Sequence, residues 1–314
     1  MSTIEQAAKR LEQLRQSGVD FSATISPTED AGSAKPDPVP LSVARELDAQ
    51  VGAAVSRRER WAEPPLTVDI GRPSQTRVEI DLARLSANGY ITPNAPRSRL
   101  AEEFRVIKRP LLMNARGKSA APVVNATRIM VTSAFAGEGK TFVSLNLAMS
   151  MAMELDTNVL LVDADSSRPA IFDRLGLPPS KGLLDLLAEP GLSIDSVLMR
   201  TNVERLSVLP AGTQRSHATE LLASESMTRL VEQLASDDPA RILLFDTPPL
   251  LAASEARVLA AHMGQVVLVV QADNTPQGAV SEALATVENC PVVLTLLNKA
   301  SAGDSGNYYG SYGA

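Results

Sequence analysis

Residues 128–148 read RIMVTSAFAGEGKTFVSLNLA, and no other stretch restricts the fold as much. Ile129–Val131 is a short apolar run, the mark of a buried strand. Ser133–Gly139 is small and glycine-bearing, and from Thr141 onward Phe142, Leu145 and Ala148 recur on one helical face. Strand, tight loop and helix in that order form the setting of a phosphate-binding loop. Gly137 and Gly139 let the backbone curl so that successive N–H groups point inward, and the helix start adds its positive end. In such a loop Lys140 reaches the β- and γ-phosphates and the Thr141 hydroxyl ligates magnesium. The usual pattern places glycine six residues before the lysine; here that position is Ala134.

The remaining apolar runs extend this unit into a domain. Asn158–Val162, Ile242–Phe245, Val266–Val270 and Val292–Leu297 read as further buried strands, and helices are expected at 182–188, 219–236, 253–262 and 277–288. Wholly apolar strands alternating with helices predict an α/β fold: a doubly wound, mostly parallel sheet of the P-loop NTPase type, covered by helices on both faces. Ligands of such sheets bind beyond the carboxyl ends of the strands. That rim collects the 133–141 loop, Asp163 and Asp165 after the second strand, and Asp246 after the third.

Upstream the chain changes character. Ile4, Ala7, Ala8, Leu11 and Leu14 predict an amphipathic helix over 3–16, with a partner-docking face and a solvated face as equal readings. Val19–Pro40 has the makeup of a linker, 41–61 suits a helix, and Val78–Leu85 is a locally ordered island. Residues 1–98 are therefore read as a partly disordered helical extension, 99–300 as the core domain and 301–314 as a flexible tail. In LAEEFRVIKRPLL, Leu100, Phe104, Ile107 and Leu111 share a stripe, Pro110 is expected to limit the helix, and Glu102, Arg105 and Lys108 are expected along one face. That face reads either as solvated ion pairs or as a subunit contact.

With 44% hydrophobic and 21% charged residues the composition suits a water-soluble globular domain, and a net charge of −6 argues against broad nucleic-acid affinity. The single cysteine, Cys290, excludes an internal disulfide. Without an uninterrupted apolar run of membrane-spanning length or a secretory leader, a cytoplasmic location is expected, with any membrane association made through a partner.

A buried carboxylate costs several kcal/mol, roughly, unless it meets a metal or donors. Asp246 suits metal holding; Asp163 and Asp165 alternate on a strand end, so one can hold metal while the other takes a proton, and strand-end capping is the competing role. Arg168, close behind, can offset negative charge or touch a neighbouring subunit. Of four tyrosines, Tyr308, Tyr309 and Tyr312 sit in a Gly/Ser/Asn-rich terminus that cannot build a core. Exposed phenols on a tether are good phosphoryl acceptors, given a base nearby.

SAFAGEGKT, VLLVDADSSRP and ILLFDTPP, with the tyrosine-rich terminus, resemble the bacterial tyrosine kinases, which pair a phosphate loop with a second acidic motif. The EEFRVIKRPLL helix and LPAGTQRSHATELLAS resemble family segments as well, and the layout is most similar to autokinases of exopolysaccharide (exosortase-associated) loci. The resemblance implies ATP and magnesium as cofactors, with Ala136, Gly137, Glu138, Gly139, Lys140, Thr141 and Phe142 around the nucleotide. Thr141, Asp163 and Asp246 would hold the metal, and Lys140, Asp163, Asp165, Arg168 and Asp246 would serve phosphoryl transfer. It implies autophosphorylation of the tail in trans, within a homo-oligomer, possible as a ring, formed through Glu102, Arg105 and Lys108. It also implies regulation of exopolysaccharide synthesis and export, recruitment to the inner face of the plasma membrane, and a membrane polysaccharide co-polymerase as activator. Asn298 is an adenine contact by resemblance, with a structural cap as the equal alternative. The chain departs from the family pattern at Ala136 for proline, at Ser166 and Ser167, and at Lys108 for arginine. Two other classes compete: a partitioning or site-positioning ATPase of the MinD/ParA kind, whose second loop lysine is missing between Ser133 and Glu138, and a non-catalytic nucleotide-dependent assembly factor.

Overall fold

In the computed structural model, residues 76–94 and 98–300 are described. The expected amphipathic helix at 3–16, the helix at 41–61 and the tail tyrosines lie outside them. The described residues form an eight-stranded sheet: β1 Thr76–Val78, β2 Arg128–Ser133, β3 Asn158–Asp163, β4 Met199–Thr201, β5 Leu206–Leu209, β6 Arg241–Asp246, β7 Gln265–Gln271 and β8 Val292–Asn298. Its order is β1-β4-β5-β3-β6-β2-β7-β8, and only β4 and β5 run antiparallel. The expected doubly wound P-loop architecture is present.

The inner strands β2, β3, β6 and β7 are mostly apolar because both of their faces are covered, whereas β1, β4 and β8 are partly exposed. Alternation sends Ile129 and Val131 to one face and Met130 to the other, and all three are fully buried. One face packs against α1 Leu82–Ala87, α2 Arg99–Ala115 and α3 Lys140–Ala152. The other packs against α5 Leu183–Ala188, α7 Ala218–Leu222, α8 Glu225–Ser236, α9 Ser254–Ala260 and α10 Gln277–Ala285. Two short helices, α4 Ile171–Leu175 and α6 Ile194–Val197, complete the set. Truncating a side chain such as Phe245, fully buried in β6, to alanine would cost about 3–5 kcal/mol.

Three expectations are corrected. The 219–236 helix is two helices, because Ser224 closes one turn and caps the next, accepting from Met227 N at 3.3 Å. Pro110 does not end α2, which runs on to Ala115. A proline at 110 donates no bond to the carbonyl of residue 106, and Val106 is 59% exposed, so the missing bond falls on the open side of the helix. Finally, residues 76–94 are not part of a loose extension. β1 pairs with β4, and Ile80, Leu85 and Ile91 are buried in the core. Long-range side-chain bonds hold this segment: Asn202 Oδ1 accepts from Ile80 N at 2.9 Å, Asn202 Nδ2 donates to Ile80 O at 3.1 Å, and Asn146 Oδ1 accepts from Ile91 N at 2.7 Å. Short local spacing could not announce it.

α3 is buried along nearly its whole length, and it offers side-chain and backbone groups to its neighbours. Asn146 holds the 76–94 strap, Ser144 reaches Asp246, and the Ser150 carbonyl accepts from Lys108 Nζ at 2.6 Å. Among the described residues no helix is long and apolar enough to cross a membrane.

Candidate nucleotide and phosphoryl-transfer site

The loop between β2 and α3 curls as its glycines predict. Gly137 and Gly139 take left-handed φ values of 88° and 100°, and Gly139 caps α3. A Cβ at Gly139 would run into the Asn298 amide, so the close approach requires glycine there. The loop is braced from behind. Glu138 is buried, and its carboxylate accepts from Phe135 N at 2.8 Å and from the Thr275 hydroxyl. Asn298 Nδ2 donates to Glu138 O at 2.8 Å, and Lys299 Nζ donates to Gly137 O at 2.7 Å. Glu138 is therefore a brace whose charge is turned inward, and only its backbone is left for an anion. Asn298 acts as a loop tie, which is the capping role, while also lining the cavity.

The carboxylates converge because β3 and β6 are neighbours in register, with Asp163 opposite Asp246. Both are fully buried, yet their surroundings differ. Asp163 Oδ2 accepts from Ala170 N and Ile171 N, each at 3.1 Å, and its Oδ1 accepts from Asp165 N at 3.3 Å. It thus caps α4 and shapes the 164–170 turn. Asp246 Oδ1 accepts from the Ser144 hydroxyl at 2.9 Å, whereas its Oδ2 is buried with no hydrogen-bond partner. Burial, then the neighbouring Asp246 charge, pushes the Asp163 carboxyl up to about 7. Burial pushes Asp246 up to about 6, against the pull of the Thr141 hydroxyl and the Lys140 charge.

Lys140 and Asp165 form an ion pair at 3.2 Å, both nearly buried. The Asp165 Oδ1 also accepts from the Ser167 hydroxyl at 2.8 Å and Arg168 N at 3.0 Å. Arg168 thus joins the cluster through its backbone, and its side chain is exposed. Ala136 lies on the exposed crest of the loop. In front of the loop opens a cavity of about 630 Å³, lined by Gly137, Gly139, Lys140, Thr141, Phe142 and Asn298 from the expected set. Asn88, Tyr90, Arg174 and Lys299 line it too, and sequence reasoning missed them. The available signal was that Tyr90 is the one tyrosine outside the tail.

The helix assigned to subunit contact is only partly as expected. Glu102 and Arg105 pair at 2.7 Å on the exposed face of α2. Lys108 is buried, bonding Ser150 O and, at 2.7 Å, Glu154 Oε1. Six residues turn a helix through about 600°, which leaves Lys108 roughly 120° away from Glu102. It therefore ties α2 to α3 and does not share the open face.

A metal has a place here. The Asp246 carboxylate keeps one oxygen outside hydrogen-bond geometry while the Thr141 hydroxyl and the Lys140 charge act on it, which leaves room for an ion between Asp246 and Thr141. Among the described residues no group of three or more acidic, histidine or cysteine side chains is arranged to hold an ion by itself. Magnesium suits that economy, since it keeps waters and phosphate oxygens and takes one or two carboxylates.

Comparison with known proteins agrees with the geometry. A family model described as an AAA domain matches residues 126–296. The tyrosine-protein kinase YwqD of Bacillus subtilis is 30% identical over 234 residues, covering 73% of this chain and 94% of that protein. Among solved structures, the VpsO kinase domain is 30% identical with a TM-score of 0.52, covering 65% of this chain and 100% of that one. The chimerical protein CapA2B2 is 25% identical with a TM-score of 0.57, covering 71% and 93%. With 30% identity to a tyrosine-protein kinase over nearly its whole length, this chain belongs to the bacterial tyrosine kinases and is a protein-tyrosine kinase.

Proposed function

We propose that this kinase uses ATP and magnesium to phosphorylate its own terminal tyrosines, Tyr308, Tyr309 and Tyr312, one subunit's tail serving a neighbour's site. The observation that carries the reading is the unpartnered, fully buried Asp246 oxygen beside Thr141 at the mouth of the phosphate loop. A buried acceptor of this kind gains from an ion that satisfies it.

Thr141 and Asp246 would hold magnesium, with Asp163 contributing at most one further lone pair, because three N–H groups already occupy that carboxylate. Bound magnesium supplies charge neutralisation on the β- and γ-phosphate oxygens. The chain's own residues do the rest. The loop N–H groups and the start of α3 bind the phosphates. Lys140 exchanges its Asp165 partner for phosphate oxygen, which leaves Asp165 Oδ2 free, while Ser167 and Arg168 N hold the other oxygen in place. The incoming phenol oxygen then bonds to the γ-phosphorus, the bond to the β-bridging oxygen breaks, ADP departs, and the phenolic proton passes to Asp165. The likeness to YwqD and VpsO supports the reaction class. The tail as acceptor rests on its composition.

Regulation of exopolysaccharide synthesis and export, a membrane co-polymerase as partner, and a homo-oligomer contacted through Glu102 and Arg105 complete the proposal. Phosphorylated tails would loosen that oligomer by adding negative charge at a crowded site. The decisive experiment is mass spectrometry of the full chain after incubation with MgATP. Phosphotyrosine at 308, 309 or 312, absent from Lys140→Met, is the expected result. ATP hydrolysis with unmodified tyrosines would instead favour the ATPase class.

A further inference from the structure

The cavity before the phosphate loop has a second wall, and that wall comes from outside the matched family region of 126–296. Tyr90 is half-buried there, its ring centroid 5.2 Å from that of Phe142 with the planes tilted by 43°. Phe142 follows directly on the phosphate-binding Lys140 and Thr141. The pair therefore continues the loop as an aromatic shelf, with the Asn88 and Asn298 amides at its edges.

The shelf is held firmly. Tyr90 N donates to Leu85 O at 3.0 Å, and the next residue, Ile91, donates to Asn146 Oδ1 at 2.7 Å. Asn146 Nδ2 in turn donates to Phe142 O at 2.9 Å. One side chain of α3 thus bonds the backbone next to Tyr90 and the backbone of Phe142. Burial pushes the Tyr90 phenol up, so it stays neutral and presents a ring and a hydroxyl rather than a charge. The cavity's volume of about 630 Å³ exceeds what three phosphates need. The part beyond the loop is lined by two aromatic rings and two amides, the chemistry that receives a nucleobase.

We propose that the 76–94 strap completes the nucleotide site, with Tyr90, backed by Phe142, serving as the stacking platform for the base of the bound nucleotide. The proposal rests on the nucleotide reading above and adds to it where the base lies. A preformed platform loses little entropy on binding and gains the face of the base.

The test is calorimetric titration of the full chain, as wild type, Tyr90→Phe and Tyr90→Ala, with MgATP, MgADP and magnesium tripolyphosphate. Removing the ring should weaken ATP and ADP by about tenfold, the loss expected for one stacked base, while tripolyphosphate changes by less than about twofold. Tyr90→Phe, which keeps the ring, should bind all three within about twofold of wild type. An unchanged ATP affinity in Tyr90→Ala would overturn the platform. Equal losses for ATP and tripolyphosphate would also overturn it, because the residue would then be shaping the loop. A wild-type chain that binds none of the three would bring down the nucleotide reading itself.

Discussion

The phosphate loop and the 76–94 strap face each other across one cavity, and they are built by opposite means. The loop is made locally: two left-handed glycines and a helix start within a few residues of each other produce its shape. The strap is made at a distance: Ile80 is anchored 122 residues away on Asn202, and Ile91 is anchored 55 residues away on Asn146. The loop's curl follows from its own backbone conformation, and the distant Thr275, Asn298 and Lys299 only brace a shape already made. A remotely encoded wall depends on single side chains, each of which can be removed.

The sharpest way to break that contrast starts at the loop. Lys140→Met should lower tyrosine phosphorylation by at least about a hundredfold, the scale seen when one donor to a developing charge is lost. Phosphotyrosine yield in a timed MgATP assay reads it, and a loss of less than about fivefold would show that the loop's backbone suffices. The next effect is on stability. Asp246 is held near 6, above its ordinary range, so folding is favoured by its protonated form. The favourable contribution is complete at acid pH, below the unfolded value, and is lost as pH rises through about 6. Asp246→Asn removes that penalty. It should be more stable than wild type by on the order of 2–3 kcal/mol at pH 8, with the gap narrowing towards pH 5. Urea unfolding at the two pH values without nucleotide measures it, and a gap independent of pH would contradict the assignment.

How much of this was legible in the sequence follows the same division. Strands β2, β3, β6 and β7 announced themselves as apolar runs because both of their faces are covered, and the edge strand β8 is an apolar run as well. The phosphate loop and the acids after β3 and β6 were legible because glycine spacing and strand-end carboxylates are local signals. β1, β4 and β5 were not, since three or four residues at a sheet's margin carry too little periodicity. Arg174 was invisible as a site residue, and Tyr90 stood out only as the one tyrosine outside the tail, because only tertiary packing brings them to the cavity. Lys108 was misread because spacing along α2 was taken for a shared face, while the third residue had turned towards α3. Asp163 was expected to hold metal or take a proton, with strand-end capping as the competing role, and no local pattern shows that three N–H groups converge on it.

A smaller perturbation separates wall from loop. Asn146→Ala strips the acceptor from Ile91 N and leaves that buried N–H unpaired, which costs roughly 1–3 kcal/mol. Native-state hydrogen exchange should speed at Ile91 and along 76–94, while amides of β2 and β6 keep their protection. Uniform acceleration over the whole sheet would mean that the strap is no separate unit and that the contrast between the two walls fails.

The smallest effects belong to α2, where two kinds of ion pair can be compared on one helix. Arg105 and Glu102 are about half exposed, so their pair is screened by water and salt. Arg105→Ala should therefore shift unfolding by less than about 0.5 kcal/mol. Lys108→Ala removes a buried cation from Ser150 O and Glu154, and should cost more, roughly 1–3 kcal/mol. Stability and assembly separate at this point. If the open face of α2 is the subunit contact, Arg105→Ala should change the mass seen by light scattering while leaving the denaturation midpoint alone. Lys108→Ala should move the midpoint first. The reverse result, with assembly following Lys108 and ignoring Arg105, would take the interface off this face, because a side chain buried against α3 can reach a neighbour only by first giving up that packing.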